Sequence, residues 1–103
     1  MKTNRKRLTL KEALSRELKD PEFSFYFQKE QAISEIARLV RDARLKAGLT
    51  QAQLAKKAQS SQVVIARLES GTDQRTPSLD LLERIAGALK AKLLVRFEYK
   101  KVA

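Results

Sequence analysis

Within the segment QVVIAR, residues 62–67, an amide, a branched aliphatic and a guanidinium recur at helical spacing. The Gln62 amide carries a donor and an acceptor that can pair bidentately with adenine N6 and N7. Val63 offers an apolar surface suited to a thymine methyl. Arg67, about one turn further on, offers the fork that most often reads guanine. Ala66 is small enough to leave room for a base. Each residue also has a plainer reading: Gln62 as a surface amide, Val63 as packing on its own helix, Arg67 as a phosphate ligand. Val64 is ambiguous, because it can equally pack on its own domain.

Most other chemistries are closed to this chain. Its 103 residues include neither Cys nor His. Disulfides, thiolate zinc sites and His-based acid–base catalysis are therefore excluded. No enzyme activity, cofactor or metal is expected. Lys and Arg number 22 against 12 Asp and Glu, a formal net charge of +10. That balance favours a polyanionic partner, although a merely soluble basic protein would share it. The basic start, Met1 to Arg7, lacks the apolar core of a signal peptide. No apolar run nears the roughly 20 residues of a membrane span, and a reducing, cytoplasmic setting fits.

These residues need elements to hold them, and the caps delimit five helices. Residues 1–8 read as a basic arm with Lys2, Arg5, Lys6 and Arg7, solvated or reaching a minor groove. Thr9 and Glu12 form a capping-box pattern opening a helix that carries Leu10, Ala13, Leu14 and Leu18. Pro21 ends that helix near Lys19 and, behind Asp20, starts the next. Ile33, Ile36, Ala37 and Val40 keep helical spacing up to Gly48, read as the residue after the cap. Thr50 opens Gln51–Ala58, Ser61 opens Gln62–Ser70 and Gly71 closes it, while Pro77-Ser78 opens a helix with Leu79, Leu82, Ile85, Ala86 and Leu89. From Leu93 the period changes to two: Leu93, Val95, Phe97 and Tyr99 alternate with Leu94, Arg96, Glu98 and Lys100, the pattern of a strand.

The break at Gln59-Ser60 divides one amphipathic run into two short helices without Gly or Pro. In a basic domain, such short helices joined by tight turns suggest a helix-turn-helix. The segments GLTQAQLAKKAQSSQVVIARLESG and TPSLDLLERIAGAL resemble the Xre/Cro-type helix-turn-helix of lambdoid phage repressors over about residues 33–90. The resemblance implies an all-α, five-helix, lambda-repressor-like fold, with the second helix of the pair entering the major groove. It assigns base contacts to Gln62, Val63, Ala66 and Arg67. Phosphate contacts fall to Thr50, Gln51, Ser60, Ser61, Gln74 and Arg75, and a largely buried ion pair to Arg44 and Glu69. One departure is Gln59, which stands where the family usually has Gly, at a position expected in the left-handed region.

Residues 9–32 and 91–103 lie outside that pattern, and the chain divides into an arm 1–8, an N-terminal helix and aromatic segment 9–32, the helix-turn-helix 33–90 and a strand 91–103. DPEFSFYF carries Phe23, Phe25, Tyr26 and Phe27, more aromatic surface than one helix face can bury. Some can pack on Leu14 and Leu18, and the remainder would form a patch for a protein partner. A lone strand must find backbone partners outside its own chain, so Leu93, Val95 and Phe97 are expected to pair with a second copy or with another protein. The whole layout, with DPEF and LLVRFE flanking the domain, resembles HigA-type antitoxins of type II toxin–antitoxin modules. That resemblance implies a homodimeric repressor of its own operon that neutralises a RelE/HigB-like toxin, with Phe23, Tyr26 and Phe27 carried over as toxin contacts. Such toxins are usually basic, so the acidic residues Glu12, Glu17, Asp20, Glu22 and Glu30 would have to supply complementary charge. A solitary Xre-type regulator of double-stranded DNA is the alternative. A RelE-like ribonuclease fits the charge but needs a multi-stranded sheet, and a membrane-surface protein needs its cations segregated along one helix.

Overall fold

The computed structural model describes residues 9–17, 19–72 and 75–100. Five helices follow one another: α1 Leu10–Glu17, α2 Pro21–Lys46, α3 Gln51–Lys57, α4 Gln62–Ser70 and α5 Leu79–Ala88. Their starts follow the sequence signals. Thr9 and Glu12 exchange side chain-to-backbone hydrogen bonds of 3.0 Å each. The backbone N–H of Thr9, then its hydroxyl, holds the Glu12 carboxyl below its usual pKa. Asp20 caps α2 by accepting from the Glu22 N–H at 2.9 Å, with Pro21 at the first helical position. Ser61 and Ser78 cap α4 and α5 by accepting from Val64 and Leu81.

Three helices end by one mechanism. After α2 the Leu49 N–H returns to Arg44 O, after α3 Ser60 to Ala55 O, and after α5 Ala91 to Ala86 O. Each is the six-to-one bond of a Schellman ending, which requires a left-handed residue just before the donor. Gly48 supplies it at φ 73°, Gln59 at 56° and Lys90 at 58°. Gln59 therefore adopts the conformation foreseen for it. Lys90 was not foreseen, because nothing in a Lys signals αL.

The core lies where α3, α4 and α5 meet the second half of α2. Leu54 and Ile65 are fully buried, among Val40, Ala55, Ala58, Leu68 and Ile85. Complete burial of each large side chain contributes roughly 1.5–3 kcal/mol. Ala55 on α3 and Ala58 at its C-cap are small and buried where α4 packs. Gly71 serves twice: its φ is 71°, and a Cβ there would stand 3.4 Å from Ala37 Cβ on α2. α4 thus ends against α2 as well as packing on α3.

α2 is one unbroken helix through residues 32 and 33, about 39 Å long at 1.5 Å per residue. Its buried residues begin only at Ile33. On the earlier part Phe23 and Phe27 stack with centroids 6.1 Å apart and stay half-buried. Phe25 and Tyr26 are exposed, and so is Leu10 on α1. The basic arm and Leu18 lie outside the described residues, and the Leu14 side chain is likewise not described.

The C-terminal strand expected from alternation is not formed. Residues 91–100 hold no helix, turn or strand, and the described residues contain no strand at all. Leu93 is half-buried, whereas Val95 is 73% and Phe97 87% exposed. The reason is physical: a strand exists only as a ladder with a second backbone, and helices use their own carbonyls and amides internally. Among the described residues every other element is a helix, so the segment meets no strand to pair with.

Candidate nucleic-acid interface

α4 is fixed from behind and open in front. Ile65, Leu68 and Glu69 are buried on its inner side. Gln62, Val63 and Arg67 are exposed, Val63 to 61%, and Ala66 is half-buried beside them. A valine so placed has left the core, since the inner positions are already filled. The four residues expected to read bases therefore share one accessible side of a helix whose other side is rigidly packed. Ser60 is half-buried; Ser61 and Arg75 are exposed near the ends of α4. Gln74 lies outside the described residues.

A buried ionic network sets the attitude of this helix. Arg44 Nε donates to Glu69 Oε2 at 2.7 Å and Nη2 to Oε1 at 2.9 Å, a two-pronged contact. Arg44 Nη1 also donates to Leu49 O at 2.9 Å. Gln51 Nε2 donates to Glu69 Oε1 at 3.1 Å. The side chains are almost fully enclosed, 12% exposed for Arg44 and 3% for Glu69. Burial pushes the Glu69 carboxyl up; the hydrogen bonds from Arg44 and Gln51, with the charges of Arg44 and Arg41, outweigh it and hold the pKa below the usual value. The Glu69 hydrogen bond raises Arg44 in turn. One carboxylate thus joins the end of α2, the start of α3 and the end of α4. Gln51, expected at a phosphate, has its amide turned inward onto Glu69. Thr50 accepts from Gln53 N–H at 3.0 Å while Gln53 Oε1 accepts from Thr50 N–H at 2.8 Å.

Sequence reasoning missed Arg84. Its Nη1 donates to Ala58 O at 2.8 Å and to Gln59 O at 2.7 Å, and its Nε to Asp80 at 3.0 Å. A cation on α5 therefore holds the carbonyls at the end of α3 and at the strained turn. The Asp80–Arg84 spacing of four was a visible signal for an ion pair within α5, but not for this reach across the fold.

The helix-turn-helix family model HTH_3, of the Xre type, matches residues 40–94. The chain belongs to this helix-turn-helix family. No curated protein and no solved structure matches it significantly. The matched span holds the end of α2, α3, α4 and α5, the four elements joined by the core and the ionic network. This helix-turn-helix protein thus carries a DNA-binding domain of a regulatory, not typically enzymatic, family. Among the described residues no helix is long and apolar enough to cross a membrane, and no acidic cluster could hold a metal ion.

Proposed function

We propose that the protein is a sequence-specific transcriptional repressor, acting in the cytoplasm as a homodimer on a palindromic operator, and the antitoxin of a type II toxin–antitoxin module. The observation that carries the DNA reading is the outward side of α4, with Gln62, Val63, Ala66 and Arg67 on a helix anchored by Ile65 and Leu68. Two such helices would sit about one DNA turn apart, roughly 34 Å, in successive major grooves. Thr50, Ser60, Ser61, Gln74 and Arg75 grip phosphates around them, and the net charge of +10 makes binding salt-sensitive. Footprinting on a selected operator tests this. Protection of two half-sites about one turn apart is the expected result; equal affinity for unrelated DNA would refute it.

The antitoxin reading rests on the part of α2 outside the core. Phe23 and Phe27 are half-buried, Phe25 and Tyr26 exposed, and Asp20, Glu22 and Glu30 lie on the same stretch. An apolar patch edged by carboxylates suits a basic RelE/HigB-like toxin, with Phe23, Tyr26 and Phe27 as contacts. The overall charge favours the second reading, a solitary regulator, because it repels a basic partner at long range. Purification from native cells at high salt with nuclease distinguishes them. A stoichiometric partner of small-toxin size supports the antitoxin, and a clean homodimer supports the solitary regulator.

A further inference from the structure

Residues 91–99 carry a pattern that fits a second copy of themselves in one register. We propose that these segments pair antiparallel across a two-fold axis through Val95. The proposal rests on the homodimer reading above and specifies its contact.

The geometry leaves few choices. Two identical antiparallel strands are related by an axis perpendicular to the sheet, so a residue must oppose either itself or one an even number away. Centring on Arg96 places Arg96 against Arg96 and Lys92 against Lys100, and like charges directly opposite are unfavourable. Centring on Phe97 pairs Arg96 with Glu98 but sets two leucines, Leu93 and Leu94, opposite Lys101 and Lys100. Centring on Val95 opposes no like charges within the segment, and its one mismatch sets Leu94 against Arg96. Val95 meets Val95, Leu93 meets Phe97 and Ala91 meets Tyr99, all apolar on one face. On the other face Lys92 meets Glu98, the one acidic residue of the segment, twice over. The same side chains are available: Leu94, Val95, Phe97 and Tyr99 are 73–90% exposed, and no turn interrupts the run.

The end of α5 selects the edge that faces the partner. The Ala91 N–H is already bonded to Ala86 O at 2.8 Å. Odd-numbered amides point to the same edge as Ala91, so that edge begins one donor short. The even edge, Lys92, Leu94, Arg96 and Glu98, has every donor and acceptor to offer. Pairing through it makes Lys92–Glu98 and Leu94–Arg96 hydrogen-bonded pairs and leaves Val95–Val95 a non-hydrogen-bonded pair. Opposed Cα atoms in such a pair lie about 4.5 Å apart, with side chains close together. That separation lies within the range a disulfide spans.

The chain has no native cysteine, so single-cysteine variants report the axis directly. Val95→Cys, Arg96→Cys and Phe97→Cys are equilibrated in a glutathione redox buffer and run on non-reducing gels, with sedimentation measured in parallel. Val95→Cys is expected to give the covalent dimer, and the other two at least tenfold less. A charge exchange supplies a second readout: Lys92→Glu alone weakens dimerisation about tenfold, and Lys92→Glu with Glu98→Lys restores it. A dimer that cross-links best at residue 96 or 97, or at none of the three, overturns the register while leaving the homodimer intact. A monomer at all concentrations, free and on DNA, overturns both.

Discussion

Removing the Glu69 carboxylate tests whether the ionic network sets the helix-turn-helix. Glu69→Ala deletes the acceptor of two Arg44 bonds, at 2.7 and 2.9 Å, and of the Gln51 bond at 3.1 Å. Arg44 retains only the Leu49 carbonyl, and its side chain is 12% exposed. A charge left in such surroundings without its partner costs about 3–5 kcal/mol. A chain of this size has roughly 5–15 kcal/mol in total, so about a fifth or more of its stability goes. At about 4–8 °C per kcal/mol, the melting temperature falls by roughly 12–40 °C. Arg44→Met should cost a similar amount. The double variant Arg44→Met with Glu69→Leu should return to within about 2 kcal/mol of the parent, because it removes the charge along with its partner. Urea unfolding followed by circular dichroism gives all four corners of the cycle. Single variants that each lose less than about 1 kcal/mol would mean the pair behaves as a solvent-screened surface contact, and the reasoning would fail.

Acid should act through the same group. Glu69 has a lowered pKa in the fold, so its stabilisation is complete above the unfolded value of about 4.3 and is lost as pH falls through the folded one. Urea midpoints between pH 6 and pH 3 should therefore drop more steeply for the parent than for Glu69→Gln. Gln59→Gly should stabilise by about 0.5–1 kcal/mol, since φ 56° strains any residue with a Cβ; an unchanged melting temperature would show that the turn carries no strain. Arg84→Met removes a charged donor from Ala58 O and Gln59 O and should cost about 1.5–3 kcal/mol in the same unfolding assay. Arg67→Ala should relax base preference at one half-site position and cost about 1–3 kcal/mol of binding, read by fluorescence anisotropy against operator variants. A uniform loss over all sequences would make Arg67 a phosphate ligand.

The sequence by itself determined the helices and where they start, because caps are local. Thr9, Asp20, Thr50, Ser61 and Ser78 each act within three residues of themselves, and those signals are written in order along the chain. It also determined which residues of α4 face outward, since 3.6-residue periodicity separates Ile65 and Leu68 from Gln62, Val63 and Arg67. Tertiary structure decided what lies between distant segments. Arg84 reaches 26 residues back to Ala58, and Gln51 turns to Glu69 rather than outward, because folding places those partners within hydrogen-bond reach and no spacing rule encodes it. Lys90 takes a left-handed conformation only because the end of α5 closes as a Schellman turn. The C-terminal segment marks the limit from the other side. Its alternation is legible in Leu93, Val95 and Phe97, yet it forms no strand, since a strand is a property of two backbones and the other described elements are helices whose hydrogen bonds are already made.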